Sequence, residues 1–129
     1  MKTILEDIQD LTMKFFTEKE INDASFGCDD GFSRMSTEFL EMLDALRESC
    51  GFPLVCSCYF RTVEWDISEG RSGNSKHTLG IAADIKFRNS WERYVIVQKA
   101  MELGFTGIGI HKDFVHVDIR EDTPVLWLY

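Results

Sequence analysis

Residues 105–119 read FTGIGIHKDFVHVDI, two short apolar runs on either side of the tripeptide HKD at 111–113. Runs of this length, rich in β-branched and aromatic residues and parted by a few turn-forming ones, predict two strands joined as a hairpin. The second run says more than the first. With a period of two, His116 and Asp118 project to one face while Val115 and Val117 project to the other. That pattern suits a half-buried strand bearing a polar site, although His116 alone reads more readily as a core histidine bonded to the backbone. Asp113 stands three residues before His116, so it reaches the same site only from the turn.

Upstream, SKHTLGIAAD at 75–84 sets His77 and Asp84 around a run of small residues. Taken singly, His77 is as readily a surface histidine, and the H-x₆-D spacing is a weak signal. Joined with His116, however, the set offers two imidazoles and a carboxylate, three ligands for zinc with a fourth position left for water. Zinc lowers the pKa of such a water toward ~7, and a nearby carboxylate, here Asp113, can accept its proton and deliver it to a leaving amine. Gly80, Ala82 and Ala83 are then expected to keep the strand slim where a substrate backbone approaches the metal.

The rest of the chain supplies the frame. Phe39, Leu40, Leu43 and Leu46 make an apolar stripe that predicts a helix over 36–50, capped by Ser36 and ended by Gly51 and Pro53. PLVCSCYF at 53–60 reads as a buried strand, followed by a short helical turn and a glycine-containing loop to His77. GIAADIKF reads as a strand with Ala82 and Asp84 on one face. Ser90 is expected to cap a helix running to Leu103 and stopped by Gly104, with Trp91, Tyr94, Val95 and Met101 turned to the core. Ile4, Ile8, Leu11 and Phe15 recur at helical spacing near the start. The sum is an α+β domain spanning 1–129, a small and mostly antiparallel sheet with helices packed on it and a metal site at its edge.

Composition narrows the functional classes. The net charge is −8, with 14 Lys and Arg against 22 Asp and Glu, and without a basic cluster nucleic acid is an unfavourable partner. No apolar run approaches the ~20 residues of a membrane span, and the acids inside MKTILEDIQDLTMKFF argue against a secretory signal. Cys28, Cys50, Cys56 and Cys58 are therefore expected to be reduced; Cys56 and Cys58, two apart in a strand, are expected to share a face.

The run SKHTLGIAAD fits S-x-H-x-x-G-x-A-x-D, and DFVHVD at 113–118 fits D-x-x-H-x-D. Together they resemble the M15 family of zinc peptidases, which includes D-Ala-D-Ala carboxypeptidases and phage endolysins, and the likeness runs from about Phe26 to Trp127. CYFRTVEWD at 58–66 is similar to the family's S-G-Y-R-x-P-E-x-N segment. The resemblance implies the fold shared by hedgehog domains and D-Ala-D-Ala peptidases, with one zinc ion per chain on His77, Asp84 and His116 and with Asp113 as catalytic base. It also implies that Arg61 faces the active site, where a guanidinium can stabilise an oxyanion; without it, Arg61 reads as a surface residue pairing with Glu64. Ser75 is expected to contact substrate or orient a ligand, Asp118 to orient His116 or Arg120, and His111 to be a turn residue.

Cys58, Tyr59, Val63 and Asp66 depart from the family pattern, as does the broken glycine pair in EGRSGNS. The implied activity is hydrolysis of peptidoglycan stem peptides or cross-links by a monomer. The chain is expected either to accumulate in a host cytoplasm until released to the wall, or to be carried in a virion. The alternative is a zinc-stabilised binding or virion structural module that does no hydrolysis; a weaker one is a metal-free scaffold.

Overall fold

The computed structural model describes residues 13–129, so the expectations for Ile4, Ile8 and Leu11 lie outside the described residues. Met13 to Thr17 enter without helix, Phe15 packing against the core. Helix α1 (Glu18–Asp23) then starts on a capping box, in which the Thr17 hydroxyl accepts from the Glu20 N–H and the Glu20 carboxylate accepts from the Thr17 N–H. After the single turn α2 (Gly31–Arg34), helix α3 (Thr37–Cys50) begins on the Ser36 hydroxyl and ends at Gly51 in the left-handed conformation. Its stripe of Phe39, Leu40, Leu43 and Leu46 is fully buried.

Five strands form one mixed sheet in the order β1–β2–β4–β3–β5: β1 (Val55–Cys58), β2 (Ala82–Lys86), β3 (Gly107–Ile110), β4 (Phe114–Asp118) and β5 (Val125–Leu128). The β3–β4 hairpin turns at 111–113, with the His111 N–H donating to the Phe114 carbonyl. β5 is an addition to the sequence-based expectation and pairs parallel to β3. Helix α4 (Val63–Ser68) and a 3₁₀ turn (Lys76–Leu79) lie between β1 and β2, and helix α5 (Ser90–Leu103) connects β2 to β3. Among the described residues no helix is long and apolar enough to cross a membrane.

Helices α3 and α5 cover one face of the sheet, where Ile85, Ile108, Val115 and Val117 meet Leu40, Ile96 and Ala100. Here α5 departs from expectation. Val95 is buried, but Trp91, Tyr94 and Met101 are largely exposed, and Ile96 and Ala100 make the core contact with it. Apolar residues ring this helix, so periodicity alone does not select the packed face. Its cap is Asn89, whose side chain accepts from the Glu92 N–H, one residue earlier than Ser90.

The opposite face of the sheet carries the polar residues. Antiparallel pairing sets Asp84 opposite His116 and His116 opposite Gly109; parallel pairing sets Gly109 beside Trp127. Cys58 pairs with Asp84 at the other end, so one row crosses all five strands: Cys58, Asp84, His116, Gly109, Trp127. Ser57 is an extra residue in the β1 ladder, because Cys56 pairs with Ile85 and Cys58 with Asp84. That bulge corrects the expectation for the two cysteines. Cys56 joins the core cluster, whereas Cys58 turns toward His77. All four cysteines are free thiols.

Candidate metal centre

His77 is presented by the 3₁₀ turn. The turn is capped by the Ser75 hydroxyl, which accepts from the His77 N–H, and closed by Gly80 at φ +72°. A Cβ on Gly80 would stand 2.3 Å from the Arg34 carbonyl oxygen, so glycine there serves the turn and its close approach to α2. Ala82 and Ala83 are fully buried. No substrate backbone reaches them, which corrects the reason first assigned to these small residues.

At the centre of the site, Asp84 Oδ1 lies 3.2 Å from His77 Nε2 and 3.1 Å from His116 Nδ1. The remote nitrogen of each ring is held elsewhere. His77 Nδ1 is 2.7 Å from the Tyr59 carbonyl, so it carries the proton; His116 Nε2 is 2.8 Å from Asp118 Oδ2 and donates to it. His77 Nε2 and His116 Nδ1 therefore both turn toward Asp84 Oδ1, each imidazole held at its far nitrogen by an outer acceptor as in metal-binding histidines. Among the described residues, the donors whose atoms all lie within 4.8 Å of one another are those of Cys58, His77 and Asp84; His116 is outside this group and meets it through Asp84 Oδ1. The Cys58 thiol reaches His77 on the Nδ1 side, at 3.6 Å, where the Tyr59 carbonyl already sits.

Charge binds this network. Burial alone would push the Asp84 carboxyl up, but hydrogen bonds and charge from His116 and His77 hold it well below the usual carboxylate range. Burial would likewise lower His116, yet Asp118 and Asp84 on its two sides raise it. Asp118 is depressed against its own burial by the Arg120 guanidinium and His116. Burial pushes the Cys58 thiol up to about 12.

Two glycines of β3 make room for this arrangement. A Cβ on Gly107 would meet the Asp118 carboxylate at 2.1 Å, and one on Gly109 would meet the Trp127 indole at 2.5 Å. Asp118 thus sits in the gap left by Gly107, bonded by Arg120 Nε at 2.9 Å and Nη2 at 2.6 Å.

A cleft of about 470 Å³ opens over the three converging atoms. Arg61 stands at its rim, donating from Nη2 to the Ser75 hydroxyl at 2.8 Å. Its Nε lies 2.8 Å from Asp66 Oδ1, off the hydrogen-bond direction, so this fully buried acid holds Arg61 by charge. Asp66, not Glu64, is the partner of Arg61. Four cations line the cleft (Arg61, Arg71, Lys76 and Arg120) against one acid, Asp84, in a chain whose net charge is −8. Phe114, Trp127 and Tyr129 form its aromatic side.

Asp113 is not brought to this cleft. It lies in the β3–β4 turn with its side chain 71% exposed, 3.9 Å from His111 Nδ1. His111 itself stacks on Phe114 at 4.3 Å and accepts the Asp113 N–H. Arg71, Lys76, Trp127 and Tyr129 went unread in the sequence. An alternation in VLWLY was the available signal for the last two, and nothing local marks the others.

Imidazole and carboxylate donors gathered on one face of a small α+β sheet, beneath a cleft, are the build of a metal-dependent domain with an open coordination side. The family model for Peptidase M15 matches residues 14–118, and the chain belongs to that family, whose members are metal-dependent peptidases. No curated protein matches the chain.

Proposed function

We propose that this chain is a zinc peptidase that hydrolyses peptide bonds in peptidoglycan stem peptides or their cross-links, as a D,D-carboxypeptidase or an endopeptidase. The observation that supports this reading is the approach of His77 Nε2 and His116 Nδ1 to the one oxygen Asp84 Oδ1, each ring tied at its far nitrogen. In this reading His77, Asp84 and His116 would hold the metal. Cys58 is the poorer third donor, because the His77 nitrogen nearest it already donates to a carbonyl. A zinc ion there supplies Lewis-acid activation of water and of the amide carbonyl.

The protein's own residues do the rest. Arg61, steadied by Ser75 and Asp66, presents its guanidinium to the oxygen on which negative charge develops. Asp118 keeps the His116 ring in the Nδ1-ligating tautomer. The cationic lining favours a substrate rich in carboxylates, as wall peptides are. Asp113 occupies the family's base position and takes the proton from water once it turns in from its exposed place. That exposure also favours the second reading, a zinc-stabilised binding or virion module without turnover.

Asp113→Ala separates the two. If Asp113 is the base, the variant keeps its zinc and loses ~10²-fold or more in turnover of purified peptidoglycan, read by mass spectrometry of the released fragments. Equal digestion by variant and parent removes Asp113 from the mechanism, and no digestion by the parent removes the peptidase reading.

Metal binding is also expected to release protons. Without metal, His116 lies between two carboxylates with its pKa raised, so its charge adds stability below the unfolded histidine value that is lost as pH rises through the folded value. A metal on Nδ1 displaces that proton, and affinity falls by up to about tenfold per pH unit once pH drops below the raised value. Calorimetric zinc titration at a series of pH values, in buffers of unlike protonation enthalpy, should report proton release that grows as pH falls through the raised value; identical heats throughout would mean His116 gives up none.

A further inference from the structure

The strand β5 lies beyond residue 118, where the family match ends, yet it builds one wall of the cleft. Its outward residues Leu126 and Leu128 are exposed, the latter at 75%, so the strand adds little to the core. Its contribution is on the other face. Trp127 lies across β3 through the gap left by Gly109, with its ring 5.2 Å from the His116 imidazole and 5.1 Å from the Arg120 guanidinium. Two residues on, the Tyr129 N–H donates to the Ile110 carbonyl at 3.1 Å, and its ring packs at 5.2 Å from His111 and 5.4 Å from Phe114. Both side chains line the same cleft as His77, Asp84 and Arg61.

We propose that Trp127 and Tyr129 form the specificity-determining wall of this cleft and receive an aliphatic side chain next to the scissile amide. The inference rests on the peptidase reading above. The cation packed on the Trp127 ring, Arg120, is engaged by Asp118 through Nε and Nη2 and is not free for a substrate group. Aromatic faces in such a place gain from covering apolar surface, at ~25 cal/mol per Å². Carboxylates of the same substrate would fall to the other cations that line the cleft, Arg61, Arg71 and Lys76. A charged side chain at the aromatic wall would lose its hydration without a partner.

The test uses the zinc-loaded chain and peptides carrying alanine or glutamate on either side of the cleaved amide. Tyr129→Ala alters the exposed end of β5 and leaves the metal donors in place; Gly109→Ala keeps both aromatics but pushes the indole off β3. In each, the KM for the alanyl peptide should rise about tenfold, and the preference over the glutamyl peptide should shrink, with zinc content unchanged. An unaltered preference in both variants, with zinc retained, overturns the proposal. Calorimetric binding of the same peptides provides the independent readout. If the parent cleaves neither peptide, the peptidase reading fails, and the wall stands only if the parent still binds the alanyl peptide more tightly and Tyr129→Ala erases that difference.

Discussion

Asp84→Ala is expected to strip the chain of its metal and abolish hydrolysis. Oδ1 of this residue is the atom that both imidazoles face, at 3.2 and 3.1 Å. β2 is an interior strand flanked by Cys58 and His116, so the backbone holds its position and cannot bring another carboxylate to this place. Loss of one of three protein ligands removes several kcal/mol of metal binding, on the order of 10³-fold or more in affinity. Zinc retained after dialysis against a graded chelator, read by metal analysis, should fall from about one per chain to near none, and wall-fragment release should vanish with it. A variant that keeps one zinc at the parent's affinity would remove Asp84 from the ligand set and turn attention to Cys58.

Asp118→Ala is expected to have the largest effect on stability. Asp118 has no solvent exposure and joins two partners, His116 through Oδ2 and Arg120 through both oxygens. Removing it leaves a guanidinium and a ring N–H without their acceptor and opens a void over Gly107. Breaking a buried pair in this way costs about 3–5 kcal/mol, a large share of the ~5–15 kcal/mol that holds a domain of this size. The corresponding fall in melting temperature is on the order of 10–20 °C. Because the Asp118 carboxyl is held below its ordinary value, its stabilisation is present above the unfolded carboxylate pKa and lost as pH falls through the folded one. The gap between parent and variant should therefore close in acid. A loss below about 1 kcal/mol at neutral pH in urea unfolding would show that the Asp118 network contributes little.

Much of this was legible in the sequence because it is carried by short-period patterns. Alternation in FVHVDI set His116 and Asp118 on one face, and the stripe from Phe39 to Leu46 with Ser36 and Gly51 at its ends marked α3. Long-range packing hid the rest. Helix α5 is apolar around its circumference, so only its contact with α3 decides that Ile96 faces in and Trp91 faces out. A single bulge at Ser57 reversed the expected facing of Cys58 relative to Cys56, and no residue type announces a bulge there. The partner of Arg61 depends on how α4 docks, which placed Asp66 rather than Glu64 against it. The glycines of GIGI read only as strand residues until the atoms filling the space above them were known.

Those glycines have a consequence for how the hairpin finds its alignment. Gly107 faces Asp118 and leaves the room its carboxylate fills, while Gly109 faces His116 and leaves the room that Trp127 fills. Sliding the strands by one residue would set Ile108 or Ile110 against His116, and sliding by two would set Phe105 against Asp118 or His111 against His116. The hairpin thus proofreads its own register through empty space: where these glycines sit tells the chain which alignment is correct before any metal arrives.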